Sequence, residues 1–405
     1  MTQIYDVAVI GAGPSGAVAS ALLNKQGFRE CVIEKQHFPR FVIGESLLPH
    51  CIEILEEAGF LSAVQNGFGF QFKNGMAFSW ENRYVSFNFS DKSSQGPNFA
   101  FQVHRDRFDK ILIDEAIAQG VEVRFGEAVH AFNNQGSTAT LGIRRENGET
   151  YTLEARFVLD ASGYYRALPR LLDWDIPSDL PVRHVHFTHI DDHIVHPAFD
   201  RNKNLVVIHP EHRDVWIWLI PFSNGRCSIG IVGLPERFAD FKGLASSASI
   251  LKKFSSETPF LNRILTQTQW DNGFPFLYLP GYSVSVKALH GKHFALLGNA
   301  AEFLDPMFSS GVTTAVHSAK LAADLLSRHL RGESINWQTD FADRLMIGVN
   351  TFRAYVDGWY SERFQDIIFN RELDPESKSM ICAILAGYAW DTNNPYVADS
   401  QLLFL

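Results

Sequence analysis

The chain has 405 residues, of which 46% are hydrophobic and 20% charged, so it is long enough for more than one packed unit with a substantial core. Its formal net charge of −9 argues against a nucleic-acid partner or an anionic membrane surface. The four cysteines are scattered without a C-x-x-C pair, which indicates neither a disulfide framework nor a thiolate metal site.

The amino-terminal end indicates the compartment. A strand-like run, "IYDVAVI", begins almost at once and leaves no room for a signal peptide. No apolar run approaches the ~18 residues that a spanning helix needs. We therefore expect a cytoplasmic protein with no membrane span.

The first predicted elements are a strand, a glycine turn, a helix and a second strand. Gly11, Gly13 and Gly16 form G-x-G-x-x-G between strand and helix. This spacing permits a tight turn, a close approach of the backbone to a pyrophosphate and close helix–strand packing. Glu34 ends the second strand, where a carboxylate would bind the ribose of an adenosine. Together these features predict a dinucleotide site.

Two later segments concern the kind of dinucleotide. Residues 155–166 form an apolar strand that ends in Asp160, and residues 293–326 form a strand, a turn at Gly298-Asn299 and a long helix. In this order the three segments resemble the FAD-binding fold of p-hydroxybenzoate hydroxylase-type monooxygenases, geranylgeranyl reductases and flavin-dependent halogenases. The resemblance implies that FAD is bound, with Asp160, Gly298 and Asn299 near it and a helix N-terminus facing the flavin ring. The family usually has Gly-Asp where this chain has Gly298-Asn299, so we expect an altered affinity for FAD.

The stretch between the first two segments adds further cofactor candidates. Arg40 is predicted to neutralise the pyrophosphate, and Glu45-Ser46 to meet the flavin edge. Halogenases and geranylgeranyl reductases share a related Gly-Glu at this place. Further along, Arg105 is a better candidate than its neighbour His104 for a flavin contact that the resemblance implies.

The run "WIWLIP" places Trp216 and Trp218 at alternate positions, so both indoles are predicted on one strand face as a flat aromatic wall. It matches W-x-W-x-I-P, the motif of flavin-dependent halogenases, whereas the reductases have a looser version. The resemblance implies a partition that keeps the organic substrate away from the flavin. An ordinary core strand with two packed indoles is the alternative.

Lys73 lies among aromatic residues in "NGFGFQFKNGMAFSW". Burial there would lower the pKa of the amine and make it a proton donor or a nucleophile, although a surface lysine with a buried stem is also consistent with the pattern. The position matches the essential lysine of the halogenases, for which the reductases have no counterpart. Lys73, Trp216 and Trp218 are therefore the catalytic candidates.

The turn "PMFSSG" at 306–311 concerns the branch of the family. Tryptophan halogenases carry a glutamate where this chain has Phe308, so the resemblance implies the branch that acts on phenols and pyrroles, free or bound to a carrier protein. Ser310 and Gly311 begin the following helix and are predicted to hold chloride through backbone N–H groups. Gly311 is also a candidate contact of FAD.

The implied reaction is halogenation, expected to be chlorination, of an electron-rich aromatic. A separate flavin reductase would supply reduced FAD, which reacts with O2 to give a C4a-hydroperoxide. Chloride would attack this hydroperoxide to give hypochlorous acid. A tunnel would then lead the hypochlorous acid to Lys73. One alternative is a flavoprotein without halide chemistry, either a reductase of carbon–carbon double bonds or an aromatic hydroxylase. Another is a non-catalytic or carrier-binding flavoprotein, in which Lys73 would be exposed to solvent.

The histidine-rich run 183–196 raises the question of a metal site. His184 and His186 share a strand face, so a site is geometrically feasible, but no H-E-x-x-H is present. We expect no metal here. The run is predicted to supply strand and turn residues that line a substrate pocket.

The predicted fold is α/β. A Rossmann-type FAD-binding domain of the glutathione reductase and p-hydroxybenzoate hydroxylase kind is expected over residues 1–65, 100–170 and 285–345. A mostly antiparallel substrate sheet is predicted over 66–99 and 171–284. A short helical tail, 346–405, is expected to cap the substrate entrance.

Overall fold

The protein is described by a computed structural model that covers residues 4–241, 246–370 and 372–404. The strands in these ranges are β1 Tyr5–Ile10, β2 Glu30–Glu34, β3 Gln71–Lys73, β4 Gly75–Trp80, β5 Arg83–Asn88, β6 Ala100–Gln102, β7 Glu122–Phe125, β8 Glu127–Asn133, β9 Ala139–Arg145, β10 Thr150–Asp160, β11 Asp175–Pro177, β12 His184–Asp191, β13 Lys203–Ile208, β14 Trp216–Pro221, β15 Arg226–Gly233, β16 Leu277–Pro280, β17 Val284–Val286, β18 His290–Gly291 and β19 Phe294–Leu296.

The helices in the same ranges are α1 Pro14–Lys25, α2 Pro49–Glu57, α3 Leu61–Gly67, α4 Arg105–Ala118, α5 Ala167–Leu171, α6 Ser247–Glu257, α7 Pro259–Ile264, α8 Ser310–Leu330, α9 Asp343–Tyr360, α10 Arg363–Asn370, α11 Pro375–Leu385 and α12 Pro395–Ala398. None of them, within the described residues, is both long and apolar enough to cross a membrane.

The first sheet has the order β18-β19-β10-β1-β2-β7, and β9 and β8 extend it from β10. Strands β19, β10, β1, β2 and β7 are parallel. Their segments are nearly continuous in buried Val, Ile, Leu and Ala because helices cover both faces of such a sheet. Helix α1 packs against α8 and α4. This arrangement confirms the Rossmann-type α/β expectation.

The second sheet has the order β16-β12-β15-β14-β13-β4-β5. Its strands lie inside the two segments predicted for the substrate domain. All neighbouring pairs are antiparallel except β13 and β4, which are parallel. The prediction of a mostly antiparallel sheet is therefore confirmed, and the one parallel pair arises because β4 enters the sheet from an earlier part of the chain.

The two faces of the second sheet bury different neighbours. On β14, Trp216 and Trp218 join the large core that also contains the first sheet and helices α8 to α11, whereas Ile217 and Leu219 join a separate core with α6 and α7. This alternation follows from the period of two along a strand. The C-terminal helices are thus part of the main core, with Tyr355 and Trp359 fully buried. Whether they cap a substrate entrance stays a prediction.

Candidate active site

A cavity of about 330 Å³ lies between the carboxyl ends of the parallel strands and the inner face of the second sheet. In open α/β sheets, ligands bind at this edge. The predicted site residues that line the cavity are Gly11, Gly13, Glu34, Arg40, Glu45, Ser46, Arg105, Trp216, Trp218, Asn299 and Gly311.

The glycine turn joins β1 to α1 with little free space. A Cβ at Gly16 would lie 1.9 Å from the carbonyl oxygen of Gly11, so only glycine permits this packing. Gly11 has φ +98°, and a Cβ there would lie 2.6 Å from the Ala161 carbonyl oxygen. Gly13 differs, because the nearest heavy atom to a Cβ there is Arg40 Nη2 at 3.6 Å. Gly13 therefore leaves an open approach from the cavity to the first turn of α1.

Glu34 and Arg40 border this turn. Glu34 Oε2 accepts a hydrogen bond from Ala12 N at 2.8 Å, and Oε1 accepts one from Gln36 N at 2.8 Å. Arg40 Nη1 donates to Asp109 Oδ2 at 3.2 Å, while its buried Nε has no partner among the described residues. A buried guanidinium nitrogen without a partner is costly, and an anionic group in the cavity would relieve this cost.

Arg105 shapes the loop that carries Glu45 and Ser46. Its Nε donates to Asp109 Oδ1 at 2.8 Å, and its Nη1 donates to the carbonyl of Ile43 at 3.0 Å. Glu45 Oε1 lies 2.7 Å from His189 Nε2 on β12, so the loop is also tied to the second sheet. Glu45 Oε2 is buried and has no partner in the described part of the chain.

Lys73 ends β3 and is fully buried. Its Nζ donates to Ser46 Oγ at 2.8 Å and to the carbonyl of Leu47 at 2.8 Å. Burial lowers the pKa of this amine to about 7, because desolvation penalises the charged form. These features exclude the surface lysine with a buried stem and the solvent-exposed lysine. Lys73 does not itself line the cavity, which it meets through Ser46; a tunnel to it remains a prediction.

Trp216 and Trp218 both face the cavity, as their alternate spacing predicts. Their ring centroids lie 6.0 Å apart with an angle of 49° between the rings, so the wall is not flat, which corrects the expectation. Trp218 Nε1 donates to Ser228 Oγ at 3.0 Å and Trp216 Nε1 to Tyr360 OH at 2.9 Å. The strand fixes which face the indoles share, but these separate partners set their tilt.

Four predicted contacts do not line the main cavity: Asp160, Gly16, Gly298 and Ser310. Both carboxylate oxygens of Asp160 are occupied, by the backbone N–H groups of Ser162 and Leu168, so Asp160 shapes the loop whose residues 161–163 face the cavity. Gly298 packs against α8, where a Cβ would lie 2.9 Å from Ala315 Cβ. Ser310 faces a much smaller neighbouring cavity, whereas Gly311 borders both.

A buried hydrogen-bond network adjoins Trp216, and the sequence alone predicted no role for it. Asp305 Oδ2 accepts hydrogen bonds from Tyr282 OH at 2.7 Å and Tyr360 OH at 2.9 Å, and Tyr360 in turn accepts from Trp216. Burial raises the pKa of the Asp305 carboxyl. Asp305 lies within residues 293–326, which the sequence analysis singled out, but its partners Tyr282 and Tyr360 lie outside that segment.

The histidine run supplies strand residues, as expected. His184 Nδ1 lies 3.0 Å from Tyr278 OH, and His186 Nδ1 lies 2.9 Å from Ser247 Oγ. Burial lowers the pKa of His186 to about 4. In the described ranges, no group of three or more His, Cys, Asp or Glu residues is arranged to hold a metal ion.

The cavity suits FAD on the chain's own features. A pyrophosphate would fit in the open approach at Gly13, next to the first turn of α1 and the unpartnered Arg40 Nε. Glu34 lies where the ribose attached to that pyrophosphate would be. Comparison with known proteins agrees, since the family described as "FAD binding domain" matches residues 4–232, more than half of the chain. The chain belongs to this family.

The curated proteins to which the chain is similar include halogenases. It is 28% identical over 352 residues to tryptophan 2-halogenase of Chondromyces crocatus, with 81% of this chain and 62% of the relative covered. It is 25% identical over 436 residues to the 1H-pyrrole-2-carbonyl-[peptidyl-carrier protein] chlorinase of Pseudomonas fluorescens, with 98% and 92% covered. The chain thus spans less than two thirds of the first of these relatives.

A solved flavoprotein is more similar in sequence. The crystal structure of a flavoprotein/dehydrogenase from Cytophaga hutchinsonii is 43% identical and matches with a TM-score of 0.93, covering 99% of this chain and 97% of its own. This member of the FAD-binding family is therefore similar both to halogenases, at 25% and 28% identity, and to a solved flavoprotein described by a different activity.

Proposed function

We propose that the protein halogenates an electron-rich aromatic compound with FAD and a halide. The observation that carries this proposal is the fully buried Lys73, whose amine is hydrogen-bonded to Ser46 at the wall of the cavity that Trp216 and Trp218 line. A buried amine in a structural role is usually paired with a carboxylate, but both acceptors of Lys73 are neutral oxygens.

The residues around the cavity have separate tasks. Gly13, Glu34 and Arg40 would hold FAD, which, when reduced and supplied with O2, provides the oxidising equivalents that turn halide into hypohalous acid. Trp216 and Trp218 would keep the arene from the flavin. Lys73 would orient hypohalous acid by hydrogen bonding, or hold the halogen as a haloamine, since a pKa near 7 populates both forms of the amine at neutral pH. The arene C–H bond is then replaced by carbon–halogen, and water leaves.

The start of α8 is the proposed halide site. The first backbone N–H groups of a helix have no partner within it, and Gly311 brings one of them to the cavity wall. We assign Gly311 as the primary contact and Ser310 as its neighbour. Chloride is the halide we expect, with bromide as the competing ion in the test.

The proposed substrate is a phenol or a pyrrole, free or bound to a carrier protein. Phe308, which replaces the glutamate of tryptophan halogenases, is buried against Tyr355, Trp359 and Phe364 rather than in the cavity. The carrier-bound pyrrole chlorinase among the relatives supports this class. A separate flavin reductase is the proposed source of reduced FAD, since the sequence carries a single dinucleotide fingerprint.

A flavoprotein without halide chemistry is the second candidate. The 43% identical structure described as a flavoprotein/dehydrogenase favours it. Such an enzyme would reduce a carbon–carbon double bond or hydroxylate an aromatic ring, and it would not need Lys73.

The test supplies the purified protein with reduced FAD, O2 and chloride or bromide, and traps oxidised halogen with a small 1,3-diketone. We expect halide-dependent product from the wild type and its loss from Lys73→Met. Lys203→Met is the matched control, because Lys203 is also buried but is paired with Asp200 at 2.6 Å and lies outside the cavity lining. Hydrogen peroxide alone with both halides would favour the second candidate, whereas equal halide-dependent product from Lys73→Met would remove Lys73 from the proposed halogenation.

A further inference from the structure

Three oxidisable side chains lead from the cavity toward solvent. Trp218 and Trp216 line the cavity, and their ring centroids lie 6.0 Å apart. Trp216 Nε1 donates a hydrogen bond to Tyr360 OH at 2.9 Å. Both indoles are buried in the protein, whereas Tyr360 is partly exposed to solvent. Because indoles and phenols are among the side chains that lose an electron most readily, these contacts form a path along which an oxidising equivalent can leave the cavity.

The phenol of Tyr360 has a base in direct contact. Its hydroxyl donates to Asp305 Oδ2 at 2.9 Å, and burial of that hydroxyl raises the pKa of the phenol, so it keeps its proton at neutral pH. A phenol that has lost an electron is a strong acid and gives its proton to a hydrogen-bonded acceptor. The Arg183 guanidinium lies 3.3 Å from the centre of the Tyr360 ring and penalises a positive charge there. Oxidation of Tyr360 therefore requires transfer of the proton to Asp305.

Asp305 is suited to take this proton. Its carboxylate accepts hydrogen bonds from Tyr282 OH at 2.7 Å and from Met307 N at 2.9 Å in addition to Tyr360. Burial raises the pKa of the Asp305 carboxyl, which makes its carboxylate a stronger base than an exposed one. Tyr282 also lines the cavity, but it is buried, so a radical formed there would have no outlet to solvent. The partial exposure of Tyr360 distinguishes it from Tyr282.

We propose that Trp216, Tyr360 and Asp305 form a protective route that carries oxidising equivalents out of the cavity. A one-electron oxidant in the cavity, either an oxygen-derived radical or photo-excited flavin, takes an electron from the tryptophan pair. Tyr360 returns one electron to Trp216, and its phenol proton passes to Asp305 Oδ2, which leaves a neutral tyrosyl radical. A soluble one-electron reductant such as ascorbate then restores Tyr360, which takes its proton back from Asp305. This function goes beyond the proposed halogenation and requires only bound FAD.

The test uses the protein loaded with oxidised FAD, without halide, substrate or O2. A laser pulse excites the flavin, and transient absorption follows tryptophan and tyrosyl radicals separately. In the wild type we expect a tryptophan radical that is replaced by a longer-lived tyrosyl radical. The replacement should be slower in D2O, because the phenol proton moves with the electron.

Three tyrosine variants assign the radical. Tyr360→Phe should lose the tyrosyl radical and leave a tryptophan radical that decays by return of the electron from the flavin. Tyr355→Phe is the matched control, because the Tyr355 hydroxyl is buried on the same helix without a hydrogen-bond partner in the described ranges, and it should keep the wild-type signals. Tyr282→Phe should keep the tyrosyl radical, since the proposed route does not pass through Tyr282.

Several outcomes would overturn the proposal. They are the absence of a tyrosyl radical in the wild type, its persistence in Tyr360→Phe, and its loss in Tyr282→Phe with retention in Tyr360→Phe. If Tyr360→Phe does not fold, the wild type alone decides, because equal rates in H2O and D2O would exclude proton transfer to Asp305. No halide is oxidised in this test, so its failure is distinguishable from failure of the proposed function.

Discussion

Lys73 shows how one residue acquires a reactive state from its surroundings. The amine is fully buried, it contacts two neutral oxygens, and the Phe89 ring lies 5.4 Å from Nζ. Because desolvation outweighs the opposing electrostatic effect of Cys51, the pKa of the amine falls to about 7. The same burial that would make the amine useful in chemistry destabilises the folded protein whenever the amine is protonated.

Stability should therefore rise with pH in the wild type. The unfolded chain holds the Lys73 proton up to a pKa of about 10.4, whereas the folded protein releases it near pH 7. Between these values the unfolded state binds more protons, so the free energy of unfolding increases with pH, by on the order of 3–5 kcal/mol for this group. Lys73→Met should be more stable than the wild type at pH 6, and its advantage should shrink toward pH 10.

Urea unfolding at pH 6, 8 and 10 measures this difference. Lys203→Met leaves Lys73 in place and should keep the wild-type dependence on pH. A constant difference between the wild type and Lys73→Met at all three values would contradict the assignment of a lowered pKa.

At the scale of an element, Gly13 and Gly16 in the turn between β1 and α1 are needed for different reasons. Gly16 lets the helix pack on the strand, since its Cβ position is filled by the Gly11 carbonyl. Gly13 has free space within the protein and faces the cavity. Gly16 therefore serves the fold, and we expect Gly13 to serve the bound cofactor.

This separation predicts opposite effects of two alanine substitutions. Gly16→Ala should destabilise the protein without FAD by about 1–3 kcal/mol, because backbone must move to admit the Cβ. Gly13→Ala should leave that stability within about 0.5 kcal/mol but lower FAD affinity by roughly tenfold or more, because the Cβ blocks the pyrophosphate. Chemical denaturation and quenching of flavin fluorescence measure the two effects. Equal destabilisation by both variants would refute the distinction.

At the scale of the whole molecule, the C-terminal helices hold the tryptophan wall. Tyr360, the last residue of α9, accepts from Trp216 Nε1 on β14 and donates to Asp305 Oδ2 in the turn before α8. Three segments far apart in the chain thus meet at one phenol. The position of the wall depends on the tail as much as on the strand that carries it.

Tyr360→Phe should cost about 1–3 kcal/mol, since it leaves Trp216 Nε1 and one lone pair of Asp305 without a partner. Tyr355→Phe is the matched control on the same helix, because the Tyr355 hydroxyl is also buried but has no hydrogen-bond partner in the described ranges. Its removal should be neutral or slightly stabilising. Urea denaturation followed by tryptophan fluorescence compares the two, and equal losses would show that the phenol network contributes little.

Local patterns were sufficient for part of the site. The spacing of Gly11 and Gly16 determines how α1 packs on β1, because a Cβ at Gly16 would meet the Gly11 carbonyl five residues earlier. The close contact of Gly11 with Ala161, in contrast, comes from a distant segment. The alternation of Trp216 and Trp218 determines their shared face because a strand has a period of two. The aromatic context of Lys73 was consistent with burial and with a surface lysine, and the structure decided for burial. The two-sheet α/β fold was implied by the resemblance of the first segment, residues 155–166 and residues 293–326 to known flavoproteins.

Contacts between distant segments decided the rest. Tyr360 meets Trp216 across 144 positions, and Glu45 meets His189 across 144. Tertiary packing also decided which loop residues face the main cavity. Asp160 accepts hydrogen bonds from its own loop, and Ser310 faces the smaller neighbouring cavity. The sequence by itself determined the local strand geometry and a dinucleotide site, since these depend on short-range sterics and spacing, and its resemblance to known flavoproteins implied FAD. Only the tertiary structure decided which polar groups stay unpartnered within the described ranges, as Arg40 Nε does, because partners are assigned when the sheets and helices pack together.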